Sequence, residues 1–208
     1  MASSPITKVT AEEYLALDRA SEFRSEFFDG EIIAMSGGSA RHSVLHVNLA
    51  GEVRDALRGT PCRAYNSELR VRVSPRMYTY PDFTIVCGKS VFADERQDIL
   101  LNPAVIFEVL SPSTEYYDRG VKFQRYREID SLTDYILVDQ DQTRIEQFTR
   151  GDAGTWTLYD YQRADEALLI PSIGVSLPSA RSLPFSTRLV IFLIASAPPT
   201  AVTYFSRI

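Results

Sequence analysis

Two apolar runs stand out from the mixed pattern of this chain, and each carries a carboxylate. Tyr80–Cys87 and Ala104–Leu110 are filled with Val, Ile and Phe and bounded by Pro and Gly, so both read as β-strands. In the first, Asp82, Thr84 and Val86 share one face and Phe83, Ile85 and Cys87 the other. In the second, Ile106, Glu108 and Leu110 share a face, and the run is apolar on both faces, as in a central strand covered on both sides. A carboxylate inside such a strand is costly unless a partner stabilises its charge.

The remaining pattern supplies the framework. Thr10 and Glu13 form a capping box ahead of a short helix over Ala11–Asp18. Phe23–Ser36 reads as a hairpin turning at Asp29-Gly30. Leu45, Leu49, Val53 and Leu57 recur at helical spacing and predict a helix over His42–Leu57, stopped near Gly59. Arg63–Val73 reads as one strand, in which Leu69, Val71 and Val73 alternate with Glu68, Arg70 and Arg72, giving a charged face. Lys89–Asn102 is a polar connection with room for a short helix, and a further helix follows over Tyr116–Ile129. Asp134–Asp139, Thr143–Arg150 and Thr155–Tyr161 form a meander, and a short apolar segment lies within Asp165–Leu177.

Composition narrows the class. The 208 residues suffice for a domain with a sizeable core, and 45% hydrophobic and 24% charged residues are usual for a soluble globular chain. A net charge of −5 argues against a wholly basic nucleic-acid-coating protein but leaves room for a local basic groove. Two cysteines, Cys62 and Cys87, make neither a disulfide framework nor a zinc site, which points to a reducing compartment, and the N-terminus has no signal-peptide core. Leu189–Ala195 is strongly apolar, but a membrane span needs about 20 such residues.

If the two carboxylate-bearing strands pair, Asp82 and Glu108 converge on one Mg²⁺, with the Val109 carbonyl as a third oxygen. Such an ion acidifies a bound water for attack on a phosphodiester, and a nearby ammonium, that of Lys122, orients the water or stabilises phosphoryl charge. Other readings remain open at this point. Asp118 and Lys122 stand at i and i+4, the spacing of a surface ion pair. Glu26 reads by periodicity as an exposed strand residue. His42 and His46 could chelate, but without an H-E-x-x-H motif they read as a helix-start histidine and a half-buried one.

Several ordered motifs resemble one family. Pro81-Asp82, I-F-E-V-L-S-P-S-T at 106–114 and D-R-G-V-K-F-Q-R-Y at 118–126 are similar to the Uma family of endonucleases, within the restriction-endonuclease-like PD-(D/E)XK superfamily. E-F-F-D-G-E-I-I-A-M-S at 26–36 followed by His42, S-E-L-R-V-R-V at 67–73 and D-Y-I-L-V-D at 134–139 extend the resemblance over roughly 8–178. It implies an α/β (α+β) fold: a restriction-endonuclease-like core with a central mixed sheet, flanking helices and an N-terminal hairpin. It also implies Mg²⁺ (or Mn²⁺) between Asp82 and Glu108, DNA as partner, a homodimer and a cytoplasmic location. The superfamily lysine would fall at Leu110; in this family Lys122 matches its replacement on the next helix, and Glu26 matches an acid of the hairpin motif. His42 falls on the pattern without an assigned role. Residues 1–178 form the expected domain, and 179–208 depart from the family's ending, as a changed reading frame or a genuine extension would. The expected activity is a metal-dependent DNA endonuclease. The alternatives are an inactive nuclease-fold module that binds DNA or protein, and a hydrolase of another phosphoester.

Overall fold

The computed structural model describes residues 8–35, 37–162 and 167–177. The apolar stretch Leu189–Ala195, the rest of the tail 179–208 and most of the N-terminal arm lie outside the described residues.

Helix α1 (Ala11–Ala20) begins with the expected capping box: the Glu13 amide donates to Thr10 Oγ1 at 3.1 Å and the Thr10 amide to Glu13 Oε2 at 2.8 Å. Strands β1 (Ser25–Phe28) and β2 (Glu31–Ala34) form the hairpin. Its turn puts Asp29 at φ 51° and Gly30 at φ 94°, and a Cβ on Gly30 would also lie 2.8 Å from the Lys8 Cβ. Helix α2 (Ala40–Ala56) starts at Ser39, whose hydroxyl accepts from the His42 amide, and buries Leu45, Leu49 and Val53. Six strands follow: β3 (Cys62–Asn66), β4 (Arg70–Ser74), β5 (Met77–Thr79), β6 (Phe83–Cys87), β7 (Ile99–Leu100) and β8 (Val105–Leu110). A continuous helical stretch comes next, as α3 (Glu115–Tyr117), a π-helical turn (Asp118–Lys122) and α4 (Phe123–Tyr126). Strands β9 (Asp134–Asp139), β10 (Ile145–Arg150), β11 (Trp156–Tyr161), β12 (Leu168–Ile170) and β13 (Val175–Leu177) complete the described chain.

The strands divide into two mixed sheets and a terminal hairpin. The larger sheet has the order β11-β10-β9-β8-β6-β3, the smaller β2-β1-β5-β4-β7, and β12 pairs with β13. β8–β9 and β4–β7 are parallel; the other pairs are antiparallel. The larger sheet is covered on both faces. On one, Leu45, Leu49 and Val53 of α2 and Leu168 and Ile170 of β12 pack with Phe83, Phe107 and Ile136. On the other, Val71 and Met77 of the smaller sheet and Tyr126 and Leu132 pack with Val86, Ile106, Leu110 and Leu137. All six residues of β8 are therefore buried, as its two-sided apolar pattern predicts.

Three local expectations change. Arg63–Val73 is two strands in different sheets, because Asn66 Oδ1 accepts from the Glu68 amide and its carbonyl from the Leu69 amide, closing a turn mid-run. The split also buries Arg70, which periodicity places on a charged face. Lys89–Asn102 holds β7 and a bridge from Phe92 to Leu100, with no helix. Finally, the β3–β6 register sets Cys62 opposite Cys87 and a disulfide joins them, so the free thiols of the reducing-compartment reading are not found. Sequence separation alone hid a contact that only strand pairing creates.

Candidate active site

The antiparallel register of β6 and β8 pairs Phe83 with Phe107, so Asp82, one step before β6, comes level with Glu108. Asp82 is held there by the Val109 amide, which donates to its Oδ2 at 2.7 Å. Glu108 points from the covered centre of the larger sheet toward the smaller one. Lys122 reaches it from the π-helical turn, with Nζ 3.0 Å from Glu108 Oε1, 3.2 Å from Glu26 Oε1 and 3.4 Å from Asp118 Oδ1. The Tyr126 hydroxyl donates to Glu108 Oε1 at 2.9 Å and lies 3.1 Å from Thr79 Oγ1. The Tyr80 amide donates to Glu26 Oε1 at 3.3 Å. Glu26, Asp82, Glu108, Val109 and Lys122 thus line one cavity of about 420 Å³, together with Asp118, Tyr117 and His42.

The structure revises two of the readings from periodicity. Glu26 is only 6% exposed, because β1 lies between β2 and β5 and the helical stretch closes over it. Asp118–Lys122 is not a surface pair: both are buried, with Tyr126 one further step of four along the same side. Arg119 turns away to Glu115 and Glu146. Leu110, where the superfamily lysine would stand, packs in the core with Tyr126. Asp118, Tyr117 and Tyr126 were not singled out as site members from the sequence. The four-residue spacing of Asp118, Lys122 and Tyr126 was the available signal.

Electrostatically the site is unbalanced. Four carboxylates, Glu26, Asp82, Glu108 and Asp118, line the cavity with one ammonium, Lys122. Burial pushes the Glu108 carboxyl well above its usual range, Lys122 opposes this, and Asp118, Asp82 and Glu26 add to it. Burial acts to lower the pKa of the Lys122 ammonium, but Glu108 and Glu26 outweigh it and hold it above its usual value. Tyr117 is pushed up to about 12, by burial first and by Glu26 second, and so remains a neutral phenol.

Helix α2 aims both histidines at Asp82. His46 Nε2 lies 3.2 Å from the Asp82 carbonyl oxygen and 3.7 Å from Oδ1, with its ring stacked on Phe83; His42 Nε2 is 3.8 Å from Oδ2. Gly38 permits this approach, since a Cβ there would lie 2.9 Å from His42 Nδ1. Among the described residues no group of three or more His, Cys, Asp or Glu side chains is arranged to hold a metal ion, so any cation here must draw on carboxylate pairs, backbone and water.

Comparison with known proteins gives the family and the fold. Residues 11–180 match the Uma2 family, described as "Putative restriction endonuclease". An uncharacterized protein of Synechocystis sp., slr1290, is 39% identical over 176 residues, covering 84% of this chain and 90% of that protein. A second from the same organism, sll1609, is 34% identical over 154 residues, covering 73% and 87%. The crystal structure of a "putative nuclease belonging to DUF820" from Anabaena variabilis superposes with a TM-score of 0.70 at 20% identity, covering 84% of this chain and 97% of that one. The fold is shared with that protein, and the chain belongs to the Uma2 family.

Proposed function

We propose that the chain is a metal-dependent endonuclease that hydrolyses DNA phosphodiester bonds. Its family and its structural neighbour, both described in nuclease terms, support the general class. The observation that carries the reading is the cavity itself, where carboxylates from two sheets and a helical turn outnumber the single ammonium among them.

Asp82, Glu108 and the Val109 carbonyl would hold Mg²⁺ or Mn²⁺. The donor set fits: Glu108 Oε1 takes both Lys122 and Tyr126, leaving Oε2 without a hydrogen bond from any described residue. Hard cations accept such oxygen-only sets and complete them with water. When bound, the ion supplies a water acidic enough to attack at neutral pH and offsets phosphoryl charge. The chain's own groups do the rest. Lys122 fixes Glu108, Glu26 and Asp118, and its positive charge stabilises charge that develops on a phosphoryl oxygen in the cavity. Glu26 in turn holds Lys122 against the smaller sheet. The Val109 amide and His46 orient Asp82.

The test is calorimetric titration of Mg²⁺ and Mn²⁺ into wild type and an Asp82→Ala/Glu108→Ala double variant, with plasmid nicking on the same samples. Binding and nicking both vanish in the variant on this reading; nicking that persists there removes it. A nuclease-fold binding module is the second reading, favoured by the commitment of Lys122 to three carboxylates. Salt-sensitive DNA binding without nicking would select it. A homodimer belongs to the proposal through the family resemblance, and a cytoplasmic location through the DNA substrate, with the Cys62–Cys87 disulfide as the observation that weighs against it. No described helix is long and apolar enough to cross a membrane. Light scattering on the eluting protein checks the dimer.

A further inference from the structure

We propose that the Tyr117 hydroxyl is a substrate contact, donating a hydrogen bond to a non-bridging oxygen of the phosphodiester in the cavity. The inference rests on the nuclease reading above and assigns a residue to it.

Tyr117 ends α3, just before the π-helical turn, and lines the cavity with Glu26, Glu108 and Lys122. Its hydroxyl oxygen is buried and has no hydrogen-bond partner among the described residues. Four other buried tyrosines are satisfied. Tyr126 donates to Glu108, Tyr135 to the Asp118 carbonyl at 3.1 Å, Tyr80 to Asp18 at 2.6 Å and Tyr14 to the Ser25 carbonyl at 2.6 Å. Buried polar groups are nearly always paired, and an exception calls for a cause. Phenylalanine would fill the same space over the Lys122 ammonium, which lies 5.7 Å from the ring centroid, without leaving a donor stranded. The missing acceptor must therefore come from what enters the cavity.

The chemistry selects an anionic oxygen. A phenol carries one proton to donate. Lys122 is already shared among three carboxylates, so the phenol is a deep donor that the resident acids have not claimed. Being neutral, it adds no positive charge to compete with a cation between Asp82 and Glu108. A phosphoryl oxygen supplies the acceptor and gains most as charge develops on it.

The test uses the full chain with the single change Tyr117→Phe. Plasmid nicking, Mg²⁺ titration and thermal unfolding are measured beside wild type. The variant should unfold at the same temperature or higher and bind Mg²⁺ unchanged, yet nick about ten- to a hundred-fold more slowly in single turnover. A short duplex with one phosphorothioate at a mapped cleavage bond supplies a readout that a packing role would not move. For one diastereomer the wild-type-to-variant rate ratio should shrink several-fold, because sulfur accepts the bond poorly. Nicking within about twofold of wild type, loss of rate together with metal binding or folding, or equal ratios for both diastereomers would each overturn the assignment while leaving the nuclease reading intact. A wild-type protein that nicks nothing removes that reading, and the assignment with it.

Discussion

Two clusters of buried charge meet at Tyr80, and they are built on opposite plans. Around Asp18 the charges match. Its Oδ2 accepts from Arg70 and from the Tyr80 hydroxyl at 2.6 Å, and its Oδ1 from the amide and hydroxyl of Ser25, each at 2.8 Å. The Arg70 guanidinium also lies 5.6 Å from the Tyr14 ring and 5.3 Å from the Tyr80 ring. Burial acts to raise the Asp18 carboxyl, but Tyr80, Arg70 and Ser25 outweigh it and hold it below its usual value. A few residues away, the Tyr80 amide donates to Glu26, a member of the cluster where acids outnumber cations and burial wins at Glu108. The first cluster fastens α1 to the smaller sheet; its carboxylate is fully bonded, although Arg70 Nε and Nη1 make no hydrogen bond among the described residues, Nη1 lying 3.6 Å from Asp98 Oδ2. The second leaves a carboxylate oxygen and a phenol without partners beside a cavity. In the first cluster the buried carboxylate is balanced by a cation of the fold itself, whereas in the second the acids outnumber the cation and face a cavity that a ligand can enter.

The largest expected difference between the clusters is in catalysis. Asp82→Ala or Glu108→Ala should cut plasmid nicking by on the order of a thousand-fold, while Asp18→Asn leaves the rate per folded molecule unchanged. Nicking kinetics normalised to the folded fraction check this, and an Asp18 effect on rate would erase the distinction. Stability should respond the other way. Arg70→Met strands a buried carboxylate and should cost about 3–5 kcal/mol in urea unfolding. Glu108→Gln, with metal chelated, should cost nothing or stabilise, since it relieves repulsion. Next comes the response to metal: Mg²⁺ at a hundred times its dissociation constant should stabilise wild type by about 2.7 kcal/mol, seen as a higher Tm, and should leave Asp82→Ala unmoved.

The smallest effect is a contrast in pH dependence. The Asp18 pKa is depressed on folding, so its contribution is complete above the unfolded value of about 3.9 and is lost as pH falls through the folded value. The Glu108 pKa is raised, so its contribution is complete below about 4.3 and is lost as pH rises through the folded value. In chelator, Asp18→Asn should flatten the acid limb of the stability profile and Glu108→Gln the limb above it. Trp156 fluorescence during unfolding at a series of pH values would show whether the limbs separate.

Much of this arrangement is legible in the sequence. The discomfort of a glutamate in a run apolar on both faces pointed to Glu108, and the motif order placed Asp82 and Lys122 beside it. The capping box at Thr10, the Asp29-Gly30 turn and the meander were local signals and came out as read. What stayed hidden depended on pairing between distant segments. The exposure of Glu26 depends on β5, the burial of Arg70 on the Asn66 turn, and the Cys62–Cys87 bond on the register of β3 against β6. Periodicity reports the faces of one segment and says nothing about which other segment covers them.

The way Lys122 joins the acids has a bearing on the protein's synthesis. Glu26 and Glu108 both emerge from the ribosome before the residue that ties them together. Such long-range closure is late in folding, because distant segments must already be in place before their contacts stabilise one another. A nascent chain or a proteolytic fragment ending ahead of the π-helical turn carries the acidic residues but not the ammonium that gathers them. On the nuclease reading, such a fragment should leave plasmid uncut, since Glu26 and Glu108 are not drawn together without Lys122.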